Sequence, residues 1–337
     1  MSAPPPVSVL LPVRNGAAHL EEAAASVESQ TDPDFEVLAV DDGSTDATSE
    51  LLAAWAARDR RVRVIHQAPS GIVAALERAR GEARGTFLAR MDADDRCEPR
   101  RFALQRALLE SMPELAGCGA RIRYFPRRRL QDGARRYEAW LNAAATPGEV
   151  AREVFVECPL AHPAFFLRAD AVSAVGGYRR RGWPEDYDLI LRLWGAGRPL
   201  ANVPEVLLHW REGRDRLSRN HPAYGPEAFL ACKVHHLRAT LLRGRRGAAL
   251  WGAGPVGKAF ARALLGAGVP VAAFAEVDPR KIGQEIYGAP VLDTPGGLAL
   301  SGVLHLAAVG QAGVRAKLRG ILSSAGLEEL KDFVAVA

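Results

Sequence analysis

Short apolar runs alternate with amphipathic stretches from the N-terminus onward. Val7 to Leu11 is a buried run and predicts a strand, and His19 to Ser29 carries apolar residues at helical spacing. Phe35 to Val40 predicts a second strand, which stops at Asp41-Asp42-Gly43-Ser44. Ser44 or Thr45 is placed to cap a helix running to about Ala57. A strand over Val62 to His66, a helix over Gly71 to Arg80 and a strand over Thr86 to Met91 follow. Strand alternating with helix in this way predicts an α/β fold with a doubly wound, mostly parallel sheet. Ligands of such sheets bind beyond the carboxyl ends of the strands.

The pattern restarts after the basic linker Arg243-Gly244-Arg245-Arg246-Gly247. Ala248 to Trp251 predicts a strand and Lys258 to Leu265 a helix, with Gly252, Gly254 and Gly257 between them in G-x-G-x-x-G order. Val269 to Ala275 is a further strand, ending near Glu276 and Asp278. Short strands are expected at Pro290 to Leu292 and Val303 to Val309. The expected domains are 1–242 and a second, smaller α/β domain over 247–337. Within the first domain, the basic run from Arg121 to Arg136 reads as a solvated face, or more sharply as an acceptor-facing or phosphate-facing loop.

Composition fits this picture. A chain of 337 residues, 48% hydrophobic and 25% charged, has the profile of a globular protein with two ordinary domains. Its net charge of +5 suits an anionic partner such as a nucleotide, phospholipid or acidic glycan. The four cysteines are widely spaced, so a disulfide framework or zinc site is not expected. The N-terminal apolar stretch is short, contains Pro12 and lacks a basic flank, so it reads as a strand rather than a signal peptide. No run approaches the length of a membrane helix. Membrane contact is expected to be peripheral at most, and the expected compartment is the cytoplasm, up to the inner face of the membrane.

The strand over Thr86 to Met91 ends in three carboxylates within four positions, Asp92, Asp94 and Asp95. Acids crowded at the mouth of a sheet need a counter-charge. A hard divalent cation holding a substrate diphosphate would supply it. Asp41 and Asp42 end another strand, so the fold is expected to bring both acidic clusters to one rim.

The first 240 residues resemble family 2 glycosyltransferases of the GT-A fold. The resemblance rests on Leu11-Pro12-Val13-Arg14-Asn15-Gly16, Val40 to Asp46, Arg90 to Asp95, His162-Pro163, Gly176-Gly177-Tyr178 and Glu185-Asp186-Tyr187-Asp188-Leu189, in that order. It implies an inverting, metal-dependent enzyme of hexosyltransferase type. The reaction moves a sugar from a nucleotide-sugar donor, a UDP-sugar, to a glycan or lipid-linked acceptor in cell-surface polysaccharide synthesis. No nucleic acid is implied. Asp41 or Asp42 would accept from the nucleoside. Pro12 belongs to the same donor-side motif, and Arg14 would stack on the base. Asp92 would face the ribose or the metal, and Asp94 would hold Mg2+ or Mn2+. Asp186 matches the general base, with neighbouring Glu185 as the alternative. His162 would contact substrate or order a loop, and Arg211 would lie near the diphosphate. Asp95 reads as structural. Two positions depart from the family pattern: Glu77 stands where Asn is frequent, and Gly213 stands about where a His is common.

The second domain resembles small Rossmann-like domains attached to sugar-modifying enzymes. Its Gly252, Gly254 and Gly257 turn would seat an anion at a helix N-terminus, and Glu276 would accept from a ribose hydroxyl. NAD is the disfavoured ligand here, because Pro255 removes a backbone donor and the domain is short. A structural or oligomerisation role is favoured over binding of NAD and over binding of a nucleotide-sugar or other ligand. Two other readings of the whole chain are a non-catalytic nucleotide-sugar scaffold and a bifunctional enzyme with redox chemistry in the second domain.

Overall fold

The computed structural model describes residues 5–213, 221–311 and 313–337. The chain divides into two compact units, the first formed by 1–150, 159–181 and 188–219, the second by 151–158, 182–187 and 220–337. The second unit therefore takes in more than the residues after 247. It also gathers the helix Pro226–Ala239 and two short earlier segments.

Eight strands build the sheet of the first unit. In chain order they are β1 (Val7–Val13), β2 (Phe35–Asp41), β3 (Val62–His66), β4 (Phe87–Arg90), β5 (Arg96–Cys97), β6 (Gly117–Phe125), β7 (Phe166–Arg168) and β8 (Leu200–Arg211). Their spatial order is β3-β2-β1-β4-β7-β6-β8-β5. The first four are mutually parallel. β7 runs antiparallel between β4 and β6, and β5 antiparallel along β8. β2 is buried at every position, as expected of a parallel strand with both faces covered. The chain works outward from β1 to β3 and then returns to β4 on the other side of β1. The carboxyl ends of β1 and β4 thus flank the point where strand order reverses, which is where doubly wound sheets bind ligands.

The basic run is not the loop that its composition suggests. Its first part is the end of β6, where Ile122 and Tyr124 are buried while Arg123 is exposed. Its last part opens the helix Asp132–Leu141. That helix and Asn142 just after it cover the side of β6 beyond Cys118, where β7 no longer pairs with it. Asn142 accepts from the Ile122 N–H and donates to the Ile122 carbonyl, both at 2.8 Å, and Glu138 accepts from the Tyr124 N–H at 2.7 Å. Arg121 spends its guanidinium on the carbonyls of Asn142 and Pro204.

The second unit carries a smaller sheet. Its strands are β9 (Ala248–Trp251), β10 (Val271–Ala275), β11 (Glu285–Ile286), β12 (Ala289–Leu292), β13 (Leu304–Ala307) and β14 (Phe333–Ala335), in the order β11-β12-β10-β9-β13-β14. All pairings are parallel except β11 with β12. The helix after the glycine-rich turn starts at Pro255, three residues before the expected Lys258. Proline is favoured at a first helical position, where its missing N–H would have had no intrahelical partner. Gly257 lets that helix sit directly on the turn: a Cβ there would lie 1.9 Å from the Gly252 carbonyl oxygen. Gly257→Ala is expected to cost about 1–3 kcal/mol through this overlap. Thermal unfolding of the full chain checks it, and an unchanged melting temperature would refute the close-packing role.

Candidate active site

The loops after β1 and β2 are stitched to each other. Asn15, in the left-handed region at φ 52°, accepts from the Thr45 N–H at 2.8 Å. Its own N–H donates to Ser44 Oγ at 2.9 Å, and the Gly16 N–H donates to Thr48 Oγ1 at 2.8 Å. Ser44 and Thr45 are thus occupied across the loops and do not cap the following helix, Thr48–Arg58. Asp46 serves its first turn instead, accepting from the Thr48 N–H at 3.0 Å. Pro12 lies within β1, and Arg14 is exposed where that strand gives way to the loop.

Asp41 and Asp42 are both buried and both bonded to their own chain. Asp41 accepts from the Ser44 N–H at 3.0 Å and from the Ser49 hydroxyl, and lies 3.3 Å from His66 Nδ1. Asp42 accepts from Gln67 Nε2 at 2.7 Å and from the Ser70 and Gly71 N–H groups at 2.8 Å each. It therefore shapes the loop after β3. A carboxylate has about four acceptor sites, so Asp42 keeps roughly one for a ligand.

The acidic loop after β4 is held from two sides. Asp92 Oδ1 lies 2.6 Å from Nη1 of Arg90, whose side chain is only 2% exposed against 31% for Asp92. Asp95 is buried and accepts from the Arg211 N–H at 2.7 Å, in line with the structural role expected of it. The Arg211 side chain donates to the Asp94 carbonyl at 2.6 Å, bonds Glu22, and stacks 4.3 Å from the centre of the Phe125 ring. Arg211 therefore does reach the acidic loop, through its main chain. Asp92, Asp94 and Asp95 each offer an oxygen within 4.8 Å of the others. A compact set of carboxylate oxygens, two of them on half-buried residues, suits Mg2+ or Mn2+.

Sequence reasoning missed two supports of this loop. Arg90 is one. Its signal was a lone arginine in an otherwise apolar strand, which must be paired if buried. Arg101 is the other, fully buried on the helix Arg101–Ser111. It donates to the Arg90 carbonyl at 2.7 Å and to Gln105, which in turn donates to the Ala164 carbonyl.

His162 is buried between Phe165 and Tyr178, with ring centroids at 5.0 and 5.7 Å. Burial, reinforced by the Arg90 charge, pushes its pKa well below the ordinary imidazole value, so it is neutral. This position fits loop ordering more directly than a contact to substrate. Glu77 locks the Gly176-Gly177-Tyr178 turn, accepting from the Tyr178 N–H at 2.7 Å while paired with Arg80. Gly177 sits at φ 62°, and a Cβ there would meet Glu77 Oε1 at 2.4 Å.

Glu185 and Asp186 open the helix Glu185–Gly195. Their environments differ. Glu185 is 3% exposed and accepts from the Tyr224 hydroxyl at 2.6 Å. Asp186 is only half-buried, and its Oδ1 accepts from the Tyr187 N–H at 2.8 Å.

The family described as glycosyl transferase family 2 matches residues 8–176, which take in β1 to β7 with the loops after β1, β2 and β4. The chain belongs to glycosyl transferase family 2. It is 31% identical over 242 residues to the putative glycosyltransferase EpsE of Bacillus subtilis, covering 69% of this chain and 84% of that one. To the amylovoran biosynthesis glycosyltransferase AmsE of Erwinia amylovora it is 30% identical over 202 residues, 60% of this chain and 73% of that one. Among solved structures, residues 1–349 of S. aureus TarS in complex with UDP-GlcNAc superpose with a TM-score of 0.56 at 16% identity, covering 70% of this chain and 66% of that one. The fold is GT-A, with a second, smaller α/β sheet.

The family match ends ahead of the second unit's sheet. In this family 2 glycosyltransferase Glu276 closes the glycine-rich turn itself. It accepts from the Ala253 N–H at 3.1 Å and the Val277 N–H at 2.9 Å, and pairs with Lys281 at 3.0 Å. The acid expected to receive a ribose hydroxyl is thus already engaged. Gly254 has open space beside it, so it is not a packing glycine like Gly252 and Gly257. Among the described residues no helix is long and apolar enough to cross a membrane.

Burial pushes the Asp41 pKa up, but the hydrogen bonds from Ser44 and Ser49, with His66, outweigh it and hold the carboxyl below its ordinary value of 3.8. A depressed folded pKa stabilises the fold above the unfolded value, and that stability is lost as pH falls through the folded one. The stability gap between wild type and Asp41→Asn is therefore expected to be full at neutral pH and to shrink as pH drops below 3.8. Chemical denaturation of both proteins across that range measures it, and a gap independent of pH would contradict the assignment.

Proposed function

We propose that this glycosyltransferase is an inverting, divalent-metal-dependent enzyme that moves a hexosyl group from a UDP-sugar to a glycan or lipid-linked acceptor. The observation that carries the reading is the acidic loop: three carboxylates gathered beyond β4, beside the reversal of strand order, with Arg211 against them. Asp94 and Asp92 would hold Mg2+ or Mn2+, and the chemistry such an ion supplies is offsetting negative charge on the departing nucleoside diphosphate. Pro12, Arg14, Asp41 and Asp42 would border the nucleoside. The UDP-sugar assignment draws on the TarS complex with UDP-GlcNAc as a fold neighbour.

Of the two acids opening the helix after Pro184, the half-buried Asp186 is the better general base. Glu185 is buried against Tyr224 and would act by holding that helix start in place. Asp186 would take the proton of the acceptor hydroxyl as its oxygen bonds to the anomeric carbon and the bond to the diphosphate breaks. One such displacement inverts the anomeric centre. The name of the relative AmsE, an amylovoran biosynthesis glycosyltransferase, supports a setting in polysaccharide synthesis; the cytoplasm, with peripheral contact at the inner membrane face, is the setting we propose for it. NAD chemistry in the second unit is not favoured, since Glu276 is paired with Lys281.

Asp186→Asn is expected to lower the rate of sugar transfer by about 100-fold to 10,000-fold with donor binding retained. A metal-supplemented assay of nucleoside diphosphate release and acceptor glycosylation measures it. Transfer at the wild-type rate would remove Asp186 from the base role. Asp94→Ala, or chelation of the metal from wild type, is expected to abolish donor turnover. Full activity in chelator would refute metal dependence.

A further inference from the structure

Arg90 stands on β4, a strand buried at every position. Its backbone does the work of a strand: the N–H donates to the Phe165 carbonyl at 2.8 Å, and the carbonyl accepts from Arg101. The guanidinium is not needed for that, and an aliphatic side chain would fill the place without burying a charge. Its Nη1 stands 2.6 Å from Asp92 Oδ1. Yet neither Nε nor Nη1 has an aligned hydrogen-bond acceptor among the described residues. A buried cation that is not fully hydrogen-bonded weakens the fold, so its retention calls for a reason outside packing. The other groups whose charge it senses, or that sense its charge, are Asp95, Tyr178, His162 and Arg101. His162 is uncharged near neutrality, and Asp95 accepts from the Arg211 N–H. Asp92 is the ion-pair partner within reach.

We propose that Arg90 is a positioning residue for the donor site, holding Asp92 by one carboxylate oxygen so that the other is presented to the ligand. The role rests on the donor-site reading above and adds a residue to it. Tethering removes rotational freedom from Asp92 before any ligand arrives, which is how supports behind a ligating group raise affinity.

The test is an Mn2+ titration in the presence of UDP, read as thermal stabilisation of the full chain. It compares wild type, R90K, R90M, D92N and the double variant R90M/D92N. The half-stabilising Mn2+ concentration is expected to rise about 10-fold to 100-fold in R90M, with R90K in between. The double variant is expected to match D92N, because a tether without its carboxylate has nothing to position. A lower melting temperature in R90M with an unchanged Mn2+ midpoint would mean a purely structural role and overturn the proposal. So would losses in R90M and D92N that multiply in the double variant. If R90M does not fold, R90Q carries the same comparison, and a wild-type midpoint there overturns the role. A wild type that shows no UDP-dependent response to Mn2+ defeats the donor-site reading itself, and this role with it.

Discussion

Everything at the ligand edge of the first unit depends on neutralising carboxylates that the fold crowds together. Three acids with oxygens within 4.8 Å of one another repel strongly unless cations stand close. The chain supplies one such cation itself: Arg90 meets Asp92 from within the sheet. Arg211 braces the loop differently, with its guanidinium on the Asp94 carbonyl and Glu22 and its N–H on the Asp95 carboxylate. The acidic loop is therefore shaped before any ligand arrives. A site built this way can stay near the productive geometry at little cost in ordering, which is the general advantage of preorganised supports.

The same economy governs the neighbouring loops. Parallel strands deliver Asp41 and Asp42 to the rim, but a strand end does not by itself define a surface. Asn15 fastens the loop after β1 to the loop after β2, and Asp42 fastens the loop after β2 to the loop after β3. Each tie runs from a side chain to a backbone N–H, so it fixes main-chain position rather than only a rotamer. The acids that resemble nucleoside contacts are thus also braces of these loops. Loss of activity on substituting either would not by itself separate the brace from the proposed contact.

Much of this was legible in the residues, and what was not has a physical cause. β9 lies where its apolar run begins and ends, because a strand buried at every position leaves an unbroken signature. β6 escaped because its outward face carries Arg121 and Arg123, and a count of charge hides the alternation of Ile122 and Tyr124 on the other face. β5 and β7 are two and three residues long and exist through pairing with distant partners, which no local pattern records. The acids after β2 and β4 were placed correctly at strand ends, while the preference for Asp186 over Glu185 came from the resemblance alone. Glu185 and Asp186 are adjacent and chemically alike, and only the burial of Glu185 against Tyr224 separates them. The cap assigned to Ser44 or Thr45 failed for a similar reason: Asn15, far away in sequence, claims both residues.

The glycine-rich turn of the second unit shows how a motif can keep its geometry and change its use. Gly252 and Gly257 are required by the close approach of helix to turn, whatever the ligand. In a dinucleotide domain the acid at the end of the next strand accepts from a ribose hydroxyl. Here Glu276 turns inward to the Ala253 N–H, and Lys281 neutralises it. The hydrogen bonds lower the Glu276 pKa against the opposing effect of burial, so the carboxylate is charged and engaged at neutral pH. A ribose would have to displace an ion pair and a backbone bond to reach it. The turn therefore serves the packing of β9, β10 and the helix Pro255–Gly266, and Gly252 and Gly257 are explained by that packing.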